Sequence, residues 1–371
     1  MTRSRILGTG HYLPPKVTTN FDLEKVMDTT DAFIIERTGI RSRHHAEAGV
    51  SASDLGALAA QAAVADAGLK MGDIDLLIMN TITPDHADPG CACFLGAKLG
   101  LVGVAAFDIR QQCTGLLYGM AMADAFIKSG KFRHPLIVCS EVLSKRIDCS
   151  NDGRNIAILL GDGAGAVVMG PLESNADTPV RSVTSAENSA DKSVRVTREA
   201  AAQNSNADTS ARGQRGVLWT GIHADGRGAK ALYTAAPGSA LGRMDHITKE
   251  DIDTGRVHFR MDGKAVFENG VAGMTDAAFE ALEATNLTLA DVDVLIPHQA
   301  NLRMLETVVK KTGIAKEKVF INVEDHGNIA SACLPIALDE ARKQGMVTDG
   351  KLVLLVGFGS GFVWGSALVR M

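Results

Sequence analysis

The sequence predicts an α/β protein made of two duplicated halves, each a parallel-rich sheet covered by helices. Three observations predict it. Short apolar runs alternate with helical periodicities along most of the chain. The stretch Met71-Gly72-Asp73-Ile74-Asp75-Leu76-Leu77-Ile78-Met79 returns as Leu289-Ala290-Asp291-Val292-Asp293-Val294-Leu295-Ile296-Pro297, each time after an alanine-rich helix. A strand that breaks into a helix follows in both copies, at Cys113 in the first and across residues 319–330 in the second. Two such units packed about a pseudo-twofold bring equivalent strand ends together.

In chain order, residues 7–13 read as an opening strand and 21–27 as a short helix capped by Asn20. Residues 31–39 read as a helix closed by Gly39, which releases the basic cluster Arg41-Ser42-Arg43-His44-His45. Residues 51–67 form an alanine-rich amphipathic helix, and the apolar run 74–80 suits an interior parallel strand. A loop punctuated by Pro84, Pro89 and Gly90 leads into a helix over 92–99. From Ala105 the chain reads as a buried strand, and Leu116, Leu117 and Met120 then recur at helical spacing. Residues 136–140 are a further interior strand, and 161–169 a glycine-led strand. Its glycines permit tight packing; with no helix behind them they do not make a phosphate cradle. Three segments result: a half over 1–172, a polar insert over 173–216 rich in Ser, Asn, Ala, Asp and Arg, and a half over 217–371.

The balance of 38 basic and 43 acidic side chains gives a net charge of −5, so nothing in it points to nucleic acid or an anionic membrane. No apolar run approaches the ~20 residues of a membrane span, and the first residues turn strand-like at once; the expected location is cytoplasmic. Six cysteines in a chain of this length without a secretory signal read as thiols rather than a disulfide framework. The Cys91-Ala92-Cys93 spacing lies outside the usual zinc loop, and no metal is expected.

Cys113 stands where strand becomes helix. The first N–H groups of a helix lack internal partners and carry roughly half a positive charge, which favours thiolate and can hold an oxyanion. Position alone also allows a small buried thiol at a tight turn. Two further turns carry unusual polar residues: His298 after the 289–297 strand, and Asn328 in His326-Gly327-Asn328.

Six dispersed motifs now stand in order. They are Gly8-Thr9-Gly10-His11-Tyr12-Leu13-Pro14, Arg37-Thr38-Gly39-Ile40, Gly161-Asp162-Gly163-Ala164-Gly165-Ala166, Pro297-His298-Gln299-Ala300-Asn301, His326-Gly327-Asn328, and the closing run from Phe358 to Arg370. Together they resemble the β-ketoacyl-acyl carrier protein synthase III family, almost end to end except for the insert. The resemblance implies the thiolase fold, with duplicated βαβ halves in a five-layer α-β-α-β-α arrangement. It implies that acyl-CoA acylates Cys113, that malonyl-acyl carrier protein enters next, and that decarboxylative condensation gives a 3-oxoacyl product. It further implies a homodimer and no cofactor beyond the two thioester substrates.

Within that family pattern Cys113 is the nucleophile and His298 and Asn328 complete the site. The residue types suit the chemistry: a thiolate attacks a thioester and later leaves well, and the acyl enzyme divides the condensation into two steps. Two neutral N–H donors stabilise an enolate oxygen without offering a strong acid to quench the carbanion. A second oxyanion hole falls to the N–H groups of Cys113 and Ser360, the latter a position where the family usually has glycine. Phe33, where the family commonly carries tryptophan, resembles the CoA entrance together with Arg37 and Arg154. Asn301 resembles the residue that hydrogen-bonds the pantetheine arm. Asp88 precedes Pro89 in a loop that in the family crosses the dimer interface; it reads as a base, as in relatives that join two acyl-CoAs, or as a polar loop residue. His326 reads as structural, and Arg303, Lys310 and Lys311 as either a basic patch for an acidic carrier or a solvated helix face. The runner-up activities keep the nucleophile but change the second substrate: an acyltransferase, or a condensation of two acyl-CoAs.

Overall fold

The computed structural model describes residues 3–172, 211–244 and 246–371. Most of the expected insert, residues 173–210, lies outside the described residues. The first sheet holds β1 (Arg3–Tyr12), β2 (Leu76–Asn80), β3 (Ala105–Ile109), β4 (Pro135–Val142) and β5 (Asp162–Leu172) in the order β1-β5-β4-β2-β3. Strand β2 pairs parallel with β3 and β4, while β5 runs antiparallel to β4 and β1. The second sheet holds β6 (Gly216–Ala224), β7 (Val294–Pro297), β8 (Leu352–Gly359) and β9 (Val363–Arg370) in the order β7-β8-β9-β6.

Helices cover the sheets in three layers. On the outer face of the first sheet lie α1 (Ala52–Asp66) and α2 (Cys91–Lys98). Between the sheets lie α3 (Gly115–Lys128) and α6 (Cys333–Lys343), which share one core with strands of both. On the far face of the second sheet lie α4 (Gly263–Thr285) and α5 (Leu302–Thr312). This is the five-layer order that the resemblance implies. The central helices reach the strands because the strands make room. A Cβ on Gly165 would lie 2.7 Å from the Pro335 ring and 2.8 Å from the Ile336 nitrogen, so the glycine-led strand is a packing surface for α6.

Three local expectations change. The short early helix is Asn20–Leu23, capped by Thr19 in a reciprocal pair with Asp22, because the Asn20 side chain is buried, bonding Ile40, Asp31 and Arg43 instead. Strand β3 is not buried in a single chain: it is the edge of its sheet, and Ala105, Ala106 and Asp108 are exposed. Residues 319–323 make no full strand, because only Val319 bridges, to Leu295, before the chain turns helical at Val323.

Candidate active site

Asn80, at the end of β2, shapes the turn that carries Cys113. Its Oδ1 accepts from the Gln111 N–H at 2.9 Å, and a Cβ on Gly115 would meet its Cγ at 2.3 Å, so only glycine fits there. The chain turns through Gln112 with φ +49°, enters a short 3-10 segment (Gln112–Thr114), and continues as α3. The hairpin between β8 and β9 closes on this turn. A Cβ on Gly359 would stand 2.9 Å from the Cys113 nitrogen, so the glycine lets the second sheet reach the cysteine backbone.

Asn328 arrives from the other half and is pinned by its backbone. Its N–H donates to the Leu159 carbonyl at 2.7 Å and its carbonyl accepts from the Gly161 N–H at 3.1 Å. Gly327 has φ +68°, and a Cβ there would lie 2.7 Å from the Leu159 carbonyl oxygen, which explains the glycine before this asparagine. The Asn328 Oδ1 accepts from the Ala330 N–H at 2.8 Å and from the Cys333 thiol at 3.6 Å. With its oxygen occupied on the protein side, the carboxamide keeps its N–H groups for the cavity.

Cys113, Asn328, Ser360 and Gly361 line one cavity of about 720 Å³, walled by Leu143, Ile156, Leu159 and Phe259 among others. His298 is buried at the end of β7, held by its N–H to the Val356 carbonyl at 2.8 Å. It is not among the side chains lining the cavity; the Cys333 thiol bonds both the carbonyl of the next residue, Gln299, and the Asn328 Oδ1, each at 3.6 Å.

Burial sets the protonation of the site. It lowers the His298 imidazole to about 4, so the ring is neutral at neutral pH. Cys113 shows some surface where it borders the cavity but is enclosed by protein on its other sides, and burial raises its thiol well above the ordinary range. Cys333 and Glu141 add to that rise, and its own backbone N–H opposes it. The expected thiolate of a helix terminus therefore gives way to a neutral thiol at rest. The helix terminus acts on charge that develops during reaction.

The remaining sequence candidates divide in two. Arg37 and Arg154 both stack on Phe33, with guanidinium carbons 5.3 and 5.1 Å from the ring centre. Arg37 also joins Asn301, Lys264, Phe267 and Arg303 around a surface cleft of about 330 Å³. Asn301 caps α5, its Oδ1 accepting from the Met304 N–H at 2.9 Å. Asp88 stands apart on an exposed loop, before a cis peptide bond to Pro89. His326 hydrogen-bonds Glu340 at 2.9 Å rather than pointing at Cys113. Lys310 and Lys311 lie in the last turn of α5.

Sequence reasoning missed Glu141, which is fully buried behind the site. Its carboxylate accepts from Thr83 at 2.9 Å, Thr81 at 3.2 Å, the Ile82 N–H at 3.1 Å and Ser331 at 2.5 Å. Burial pushes it up to about 7 against these bonds. The available signal was a carboxylate in the mostly apolar strand β4. Among the described residues no cluster of His, Cys, Asp and Glu could hold a metal ion, and no helix is long and apolar enough to cross a membrane.

Comparison with known proteins matches residues 107–187 to the model for 3-oxoacyl-[acyl-carrier-protein] synthase III and residues 282–371 to the model for its C-terminal region. The chain is 40% identical over 371 residues to a β-ketoacyl-[acyl-carrier-protein] synthase III of Thiobacillus denitrificans, covering 100% of both. It is 38% identical over 365 residues to one of Caldanaerobacter subterraneus, covering 98% of this chain and 97% of the relative. Its fold superposes on the crystal structure of 3-oxoacyl-[acyl-carrier-protein] synthase III from Aquifex aeolicus with a TM-score of 0.80 at 34% identity, covering 99% of this chain and 100% of the other.

Proposed function

Since the chain belongs to the 3-oxoacyl-[acyl-carrier-protein] synthase III family, we propose that it condenses an acyl-CoA with malonyl-acyl carrier protein, with Cys113 as nucleophile and His298 and Asn328 as enolate-stabilising donors. The observation that carries this reading is the orientation of Asn328, whose amide oxygen is held by Ala330 and Cys333 while the residue lines the cavity with Cys113.

In the first half-reaction the Cys113 sulfur attacks the acyl-CoA carbonyl, and the oxyanion that forms is held by the N–H groups of Cys113 and Ser360. The carbon–sulfur bond to CoA breaks, CoA leaves carrying the thiol proton, and a thioester remains on Cys113. In the second, the malonyl thioester loses carbon dioxide and the electron pair passes into an enolate. A neutral imidazole and a carboxamide suit that oxygen, because neither is acidic enough to protonate the carbanion. The enolate carbon attacks the acyl-Cys113 carbonyl, the thiolate departs and regains a proton, and the 3-oxoacyl product leaves. The two thioesters supply all the chemistry without a further cofactor.

The arginine-flanked Phe33 ring and the adjoining cleft suit the nucleotide end of CoA, with Asn301 on the path of its pantetheine arm and Arg303, Lys310 and Lys311 offering positive charge to an acidic carrier. A homodimer formed along β3 agrees with an edge strand whose Ala105 and Ala106 are exposed and whose neighbouring Val102 is 93% exposed. The Asp88 loop lies next in sequence to α2, whose first N–H groups bond Asp108 of β3, so it sits beside the same edge. A cytoplasmic fatty acid synthase fits these properties. Incubation with a series of acyl-CoAs followed by intact mass tests the assignment: one acyl adduct forms on the native protein and none on Cys113→Ala. An undiminished adduct on the variant refutes it.

A further inference from the structure

The cavity that holds Cys113 is mostly apolar, yet two guanidinium groups line it. Arg146 lies over the Phe259 ring, its carbon 4.8 Å from the ring centre, and donates to the Ile82 carbonyl at 2.7 Å and to Thr234 Oγ1 at 3.2 Å. These bonds use two of five N–H donors and neither acceptor is charged. Among the described residues, the Arg110 guanidinium makes no hydrogen bond or ion pair, and neither arginine has a carboxylate within ion-pair distance. Burial lowers the Arg146 pKa; the Glu141 charge opposes that fall and the Arg110 charge adds to it, so the two guanidinium groups are near enough to repel. Two like charges beside one apolar cavity, with the nearby Glu141 carboxyl taken up by Thr81, Thr83, Ile82 and Ser331 and no carboxylate of the described residues in an ion pair with either arginine, form a receptor for an anion. They are also distinct from the two arginines at Phe33, of which Arg37 borders another cleft.

Resting on the proposed acylation of Cys113, we propose that this cavity selects acyl groups that end in a carboxylate, with Arg146 and Arg110 as the specificity-determining residues. The walls Leu143, Ile156, Leu159 and Leu232 cover the methylene chain, and the polar end meets Arg146 beside Thr234. A planar guanidinium already stacked and tethered is preorganised for a carboxylate, so a neutral chain of equal length leaves those donors unpaired.

The test is acylation of the full-length protein with glutaryl-CoA and with valeryl-CoA, five-carbon chains that differ only in the terminal carboxylate, read by intact mass over time. The native protein is expected to prefer glutaryl-CoA in kcat/KM by about tenfold or more, because the apolar analogue leaves the guanidinium donors unpaired. Arg146→Met and Arg110→Met are expected to bring the ratio towards one, and Arg146→Lys to restore part of it, with circular dichroism confirming that each variant is folded. A native preference for valeryl-CoA, or a ratio that both methionine variants leave unmoved, overturns the inference while leaving the acylation of Cys113 standing. Absence of any adduct from either thioester instead overturns the underlying reading. The arginines could also meet a carboxylate of a second copy, Asp88 being the exposed candidate beside β3. If Arg110→Met and Asp88→Asn weaken the dimer and leave the glutaryl preference unmoved, the anion belongs to that copy and the inference falls.

Discussion

The two halves make the same backbone turn and use it differently. In the first, Gln111 (φ −103°, ψ 30°) and Gln112 (φ +49°) lead through a 3-10 segment into α3. In the second, Ile329 (φ −101°, ψ 31°) and Ala330 (φ +44°) lead through a 3-10 segment into α6. Only three non-glycine residues have positive φ among the described residues; Asn286 closes α4, and the other two occupy this matching position. Such a conformation costs about 1–3 kcal/mol and persists where surrounding structure enforces it. Register then pairs Cys113 with Ser331 and Arg110 with Asn328. The first turn presents its third residue to the cavity, while the second buries its hydroxyl against Glu141 at 2.5 Å. A duplicated scaffold thus supplies two equivalent positions, and the chemistry of each depends on what lies behind it.

The sharpest way to break this comparison is to move the thiol. Cys113→Ala is expected to abolish the acyl adduct, and adding Ser331→Cys is expected not to restore it, because that position faces Glu141 instead of the cavity. Intact mass decides, and an adduct on the double variant would make the two turns interchangeable. Next in size, Asn328→Ala is expected to slow decarboxylation of a malonyl thioester by about 10²-fold, the effect of losing one oxyanion donor, with acylation little changed. Equal losses in both half-reactions count against the division of labour. Third, alkylation of Cys113 is expected to climb with pH beyond the ordinary thiol range, since burial raises its pKa. A plateau reached below neutral pH contradicts that.

The smallest effect concerns stability. Glu141 is pushed up to about 7 from an ordinary 4.5, so the folded chain keeps a proton that the unfolded chain has already released. The associated stability is present below pH 4.5 and fades as pH rises through about 7. Glu141→Gln is expected to flatten the fall in melting temperature over that window; parallel curves for native protein and variant sink the assignment.

Much of this was legible in the sequence, for identifiable reasons. The repeat at residues 71–79 and 289–297 reports a buried parallel strand in each half, and such strands leave continuous apolar runs. Cys113 and Asn328 could be found because the turns that carry them need glycines in fixed places, Gly115 against Asn80 and Gly327 against Leu159. Strand β3 deceived because an apolar edge strand and an interior strand have the same composition. Glu141, Arg110 and Arg146 were missed because each matters through neighbours from other elements: Ser331 for one, the shared cavity for the others. Capping by Thr19 in place of Asn20 turned on where the Asn20 amide finds partners, at Ile40 and Arg43.

The most direct measurement follows both half-reactions on one sample. Protein carrying a single acyl group is mixed with malonyl-acyl carrier protein, and discharge of the Cys113 adduct is timed against carbon dioxide release. The two are expected to proceed together, one carbon dioxide for each acyl group lost, with 3-oxoacyl carrier protein as product. Discharge without carbon dioxide, or an acyl group found on any residue other than Cys113, contradicts the account.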